Sequence, residues 1–180
     1  MTRLERTSKE TRVSVELGRG QAPARVETRL DFFNHMVSTL ARYGGLSLVL
    51  RAEGDLVHHL MEDVGITLGQ SLRKLVPKTA ARFGERTVPM DDALVQAVVD
   101  VGGRPFYRGR LPNPLYQHFL QSLAENAGFT LHLRVLRGRN RHHVLEAAFK
   151  AVGLALREAL VEQGEALSLK GQVTWKETEC

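Results

Sequence analysis

Residues 40–62 read LARYGGLSLVLRAEGDLVHHLME, and residues 123–146 read LAENAGFTLHLRVLRGRNRHHVLE. Leu40, Ala41, Gly45, Leu48, Leu50 and Arg51 recur 83 residues later as Leu123, Ala124, Gly128, Leu131, Leu133 and Arg134. After one inserted residue, His58-His59-x-x-Glu62 recurs as His142-His143-x-x-Glu146. Self-similarity at a fixed spacing marks a duplicated structural unit. It divides the chain into two related halves, residues 5–77 and 80–165, followed by a C-terminal tail.

The patterning around the repeat agrees. Residues 11–17 alternate apolar and polar side chains as a half-buried strand does, and 25–30 is a partner strand for them. Asp31 is a fair N-cap for a helix through Phe32, Phe33, Met36, Val37 and Leu40 that ends near Gly44-Gly45. Residues 46–52 then read as a strand, and 58–75 as a helix stopped before Pro77. The second half repeats the order: strands at 83–88 and 95–101, a further extended segment at 106–111, a helix at 115–127, a strand at 129–136 and a helix from 142 to about 161. The expected fold is therefore α+β, two pseudo-repeated β-β-α-β-α halves forming a sheet layer packed on a helix layer.

Composition narrows the function classes. Apolar residues make up 43% and charged residues 25%, the balance of a globular chain that buries a core. No apolar run is long enough for a membrane span, and residues 1–10 are too polar for a signal peptide. The one cysteine, Cys180, allows no intramolecular disulfide, so a cytoplasmic location is expected. The chain carries a net charge of +5, but its Lys and Arg residues are scattered, and three Tyr and one Trp make a poor base-stacking surface. An anionic small molecule fits this charge better than nucleic acid.

Four of the seven histidines lie in the two His-His-x-x-Glu clusters. On a helix, residues i and i+4 share a face, so His58 with Glu62, and His142 with Glu146, can each grip one ion. The second histidine of each pair points about 100° away around the helix and suits a different ion. Nitrogen and carboxylate donors without sulfur are compatible with Mn, Fe, Co or Zn. One such cluster is as readily a surface helix that happens to carry two histidines. Two copies, placed identically in a repeated frame, argue for metal. Neither is the His-Glu-x-x-His arrangement of zinc proteases. His35 in the first helix, His132 in a strand and His118, which follows His35 by the same 83 residues, are each, taken singly, more often core or surface histidines than ligands.

Segments along almost the whole chain resemble the imidazoleglycerol-phosphate dehydratase family. Arg6-Thr7 with Glu10-Thr11 resembles its R-x-T-x-E-T opening, and Phe32-Phe33-Asn34-His35-Met36 its F-F-D-H-M. Gly54-Asp55 and His58-His59-Leu60-Met61-Glu62-Asp63-Val64-Gly65-Ile66 resemble its G-D and D-H-H-T-x-E-D-x-G-I. Val88-Pro89-Met90-Asp91, Gly103-Arg104-Pro105, and Asn126-Ala127-Gly128 with Thr130-Leu131-His132-Leu133-Arg134 follow in the family's order. So do Gly138-Arg139-Asn140-Arg141-His142-His143, Phe149-Lys150 and the Ser168-Leu169-Lys170-Gly171 of the tail.

The resemblance implies a hydro-lyase of histidine biosynthesis with two Mn²⁺ per active centre, built where subunits meet in an assembly of 24 made from trimers. Carried over, the metal ligands are His35, His58, His59, Glu62, His132, His142, His143 and Glu146. Substrate contacts fall to Glu10, Arg104, Arg108 or Arg110, Lys150, Ser168 and Lys170, with cationic groups suited to a phosphate dianion. Glu10 and Glu146 are the acid/base candidates. The chain departs from the family before His58, where a shortened segment lacks the paired aspartates, and at Asn34, Leu60 and Leu167. The rival readings are a dinuclear phosphoesterase, and a metal-binding oligomer or decayed paralogue without turnover.

Overall fold

The computed structural model describes residues 1–20 and 22–164. The first half runs β1 (Thr2–Thr7), β2 (Thr11–Arg19), β3 (Arg25–Glu27), α1 (Asp31–Tyr43), β4 (Leu46–Gly54) and α2 (Val57–Arg73). The second runs β5 (Phe83–Met90), β6 (Ala93–Asp100), β7 (Phe106–Arg108), α3 (Pro114–Ala127), β8 (Thr130–Arg137) and α4 (Arg141–Ala159). The sheets match strand for strand, with orders β1-β2-β4-β3 and β5-β6-β8-β7.

The two repeated α+β halves are present, each with one more strand than a β-β-α-β-α unit. In the second half the added strand is the extended segment at Phe106–Arg108; in the first it is β1, an edge strand whose exposed Arg3 and Glu5 hide its alternation. β3 does not pair with β2. It lies parallel to β4 on the far side, and β2 pairs instead with β1 and β4, both antiparallel. The cap of α1 is Leu30 rather than Asp31, with no side-chain hydrogen bond. Asn34 holds the preceding turn by accepting from the Thr28 N–H and hydroxyl.

The inward faces of both sheets are apolar: Val13, Val15 and Leu17 on β2, Val95, Ala97 and Val99 on β6. Both meet one shared helix layer. α2 packs on β2 and α4 on β5 and β6, but the helices pair across the halves, α2 with α3 and α1 with α4. In that layer Phe119 of α3 meets Phe33 of α1 edge to face, with centroids 5.0 Å apart, and stacks on Phe149 of α4 at 5.7 Å. Backbones must come close for this pairing. A Cβ on Gly69 of α2 would lie 2.5 Å from the Leu123 carbonyl of α3, and one on Gly153 of α4 would lie 2.7 Å from the Leu40 carbonyl of α1. Gly69 and Gly153 are equivalent in the repeat, as are Leu40 and Leu123. Neither half owns a private core. Among the described residues no helix is long and apolar enough to cross a membrane.

Candidate metal centre

Both His-His-x-x-Glu segments open a helix. At α4 the Asn140 side chain accepts the His142 N–H, which fixes the first turn. The cross-half helix pairing then completes each cluster with a histidine from the other half. In the first cluster, His58 Nε2 is 3.5 Å from Glu62 Oε2, and His118 Nε2 from α3 is 3.3 Å from Glu62 Oε1. In the second, His142 Nε2 is 3.2 Å and His35 Nε2 from α1 is 3.6 Å from Glu146 Oε2. The remaining oxygen of Glu146 takes Lys150 Nζ at 2.9 Å. Burial pushes the Glu146 carboxyl up, but Lys150 and His35 overrule it and hold the group below the usual carboxylate range.

The second histidine of each pair points elsewhere, as helix geometry requires, and each meets an aspartate. His59 Nδ1 lies 3.1 Å from Asp55 Oδ1 and 3.5 Å from Glu10 Oε2. His143 Nδ1 lies 2.7 Å from Asp92 Oδ1, while its Nε2 is 3.3 Å from Asp91. Asp92 accepts the Arg139 N–H, the His143 ring and the Asn140 N–H, which together draw its pKa down to about 2. Asp55 is lowered by the Leu56 N–H and then by His59, and its hydrogen bond raises His59. A carboxylate on one ring nitrogen orients an imidazole and raises its basicity as a ligand.

Glu10 owes its place to a buried anchor. Asp63, next to Glu62, turns inward and receives the Thr11 hydroxyl and the Arg6 guanidinium, the latter at 2.8 Å. That grip ties the β1–β2 turn, and Glu10 with it, to the start of α2.

Other candidates lie apart from these clusters. Leu131 and Leu133 face the helix layer, so His132 between them faces the opposite side of the sheet. There it borders a cavity of about 580 Å³ lined by Arg108, Arg110 and Arg134. Arg104 is exposed, with its carbonyl accepting from Thr130. Ser168 and Lys170 lie outside the described residues.

The family model for imidazoleglycerol-phosphate dehydratase matches residues 28–156, which contain both clusters. The chain belongs to the imidazoleglycerol-phosphate dehydratase family. The Anaeromyxobacter dehalogenans (strain 2CP-C) enzyme of that name is 46% identical, over 92% of this chain and 88% of its own length. That of Desulfitobacterium hafniense is 42% identical, over 93% and 95%. The crystal structure of the Pyrococcus furiosus imidazoleglycerol-phosphate dehydratase, in complex with (S)-C348, superposes with a TM-score of 0.86 at 38% identity, covering 94% of this chain and all of that one. The Staphylococcus aureus imidazoleglycerol-phosphate dehydratase gives 0.78 at 32%, over 91% and all.

Against the imidazoleglycerol-phosphate dehydratase pattern, the shortened segment before His58 does not leave His59 without a carboxylate. Asp55, one helical turn earlier, reaches it. Sequence reading missed Asp55, Asp63, Asp91 and Asp92, and left His118 open. The i−4 spacing of Asp55 to His59 was the available signal; Asp92 and His143 are 51 residues apart and gave none. The donors of His58, Glu62 and His118, and those of Glu10, Asp55 and His59, lie within 4.8 Å of one another in each group, a nitrogen and oxygen set that suits a borderline divalent ion.

Proposed function

We propose that this chain dehydrates imidazole glycerol phosphate to imidazole acetol phosphate, as a hydro-lyase of histidine biosynthesis, at a centre holding two manganese ions. The single observation that carries this reading is the pair of equivalent His-x-x-x-Glu groups, each joined by a histidine from the opposite half, in a chain of this family. His58 and Glu62 would hold one ion; His35, His142 and Glu146 the other; His59, His143 and His132 complete the set. Because His132 faces away from the helix layer, its partners come from another copy, which favours an assembly of trimers reaching 24 subunits. We place that assembly in the cytoplasm.

Two divalent ions at such a site would polarise the bound imidazole. The chain's own residues do the rest. Lys150 keeps Glu146 ionised and suited to ligation, so the proton falls to Glu10, an exposed carboxylate 3.5 Å from His59. Its task is to take the proton from the carbon next to the one that loses hydroxide. Arg104, Arg108 or Arg110, Lys150, Ser168 and Lys170 bind the phosphate and orient the glycerol chain.

The deciding experiment is turnover of imidazole glycerol phosphate by metal-stripped protein before and after adding Mn²⁺. Metal-restored ketone formation is expected. Tight metal binding with no turnover would replace this reading with a metal-binding oligomer or decayed paralogue. Glu10→Gln should abolish turnover with metal content unchanged; normal turnover would remove Glu10 from the proton step.

A further inference from the structure

We infer that His118 is a third protein ligand of the ion held by His58 and Glu62, and this rests on the metal-centre reading above. His118 stands 83 residues after His35, on α3 where His35 is on α1. Helix pairing across the halves brings α1 to α4 and α3 to α2. The same contact that delivers His35 to Glu146 therefore delivers His118 to Glu62, at 3.6 and 3.3 Å. The ligand atoms of His58, Glu62 and His118 all lie within 4.8 Å of one another.

Two further features separate ligation from packing. The His58 and His118 rings are stacked, with centroids 4.8 Å apart and planes at 16°, so both approach the same carboxylate side by side. His118 Nε2 is shielded from water and has no hydrogen-bond partner; the Glu62 oxygen is near but not in hydrogen-bond geometry. A polar atom withdrawn from solvent with nothing to bond is rare and calls for an unaccounted partner. A divalent ion seated between two imidazoles and a carboxylate supplies one, with donors of the right chemistry. The second half brings His35 to Glu146 at 3.6 Å through the equivalent helix contact, so the added histidine recurs with the repeat.

The test titrates the metal-stripped full chain with Co²⁺, whose visible absorption reports its ligands, in wild type, His118→Ala and His118→Phe. The Phe variant keeps the ring stacked on His58 but removes the nitrogen; thermal melts of both variants check that they fold. Two ions per chain are expected in the wild type. In both variants one ion should be unchanged, and the other weakened at least about tenfold, the lower end of the loss when even a supporting group is removed, with an altered spectrum. His35→Ala should weaken the other ion instead. Wild-type affinity and spectrum in either folded variant would overturn the inference and leave the metal centre standing. A wild type that binds no Co²⁺ would overturn both.

Discussion

Glu62 and Glu146 occupy the same place in the two halves, yet the residue one helical turn on differs. A turn beyond Glu146 stands Lys150, bonded to it at 2.9 Å; a turn beyond Glu62 stands Ile66. Lys150 and Ile66 are equivalent in the repeat. Glu146 is therefore 12% exposed with one oxygen committed, and both its histidines address the other oxygen. Glu62 is 36% exposed and divides its oxygens between His58 and His118. The repeat places two equivalent glutamates on equivalent helices, and Lys150 in place of Ile66 makes their surroundings unequal in charge. The second cluster bears a cation already, so the first should hold a divalent ion more tightly.

The comparison fails at its root if the two helix contacts are not equivalent. Gly69→Ala and Gly153→Ala each drive a methyl against a backbone carbonyl, and each should cost about 1–3 kcal/mol in urea unfolding despite alanine's better helix propensity. Destabilisation by only one of them would show that the helix layer is not symmetric.

The aspartates that orient the second histidines offer the next test. Asp92→Asn and Asp55→Asn should each weaken metal binding, by roughly 10–100-fold for such supporting groups. Asp92 should show the larger loss, because its contact is 2.7 Å against 3.1 Å. Equal losses by calorimetry would mean that the shorter contact confers nothing extra.

Lys150→Ile copies the first half onto the second. Ion affinity at Glu146 should rise by up to about fivefold, the size of a partly exposed charge pair, while turnover falls if Lys150 holds phosphate. Unchanged affinity would locate the inequality of the two clusters elsewhere.

The smallest effect concerns the sheets. Asp100, opposite Thr130, stands where the first half has Gly18 opposite Ser47. Burial pushes its carboxyl up, but the paired bonds from Arg82 at 2.8 and 3.0 Å and the Gly102 N–H bring it below its ordinary 3.8. A depressed carboxylate stabilises the fold above that value, and the contribution disappears as pH falls through the lowered one. Unfolding followed below pH 4 should therefore lose a stability increment that Asp100→Asn lacks throughout; identical pH profiles would show the pair to be neutral.

Much of this was legible in the residues. The 83-residue echo announced two halves, alternation located the inner strands, and the paired His-His-x-x-Glu segments announced two clusters. Strand β1 was hidden because Arg3 and Glu5 mark an edge open to solvent, where no buried face enforces a pattern. The partner of β3 was hidden because a three-residue strand carries no register of its own. His118 was ambiguous because a histidine on a helix states its spacing but not its neighbour.

The sequence by itself determined what repeats along the chain: the duplicated unit, the donor types and their spacing on a helix turn. Those are local matters, set by helical and strand periodicity. Only the tertiary structure decided which elements meet. Pairing across the halves gave each glutamate a histidine from the opposite half, and packing of α4 on β5 and β6 within the second half brought Asp92 to His143. Those contacts come from burying two amphipathic sheets on one shared helix layer, and that packing joins residues whose separation in the chain carries no signal.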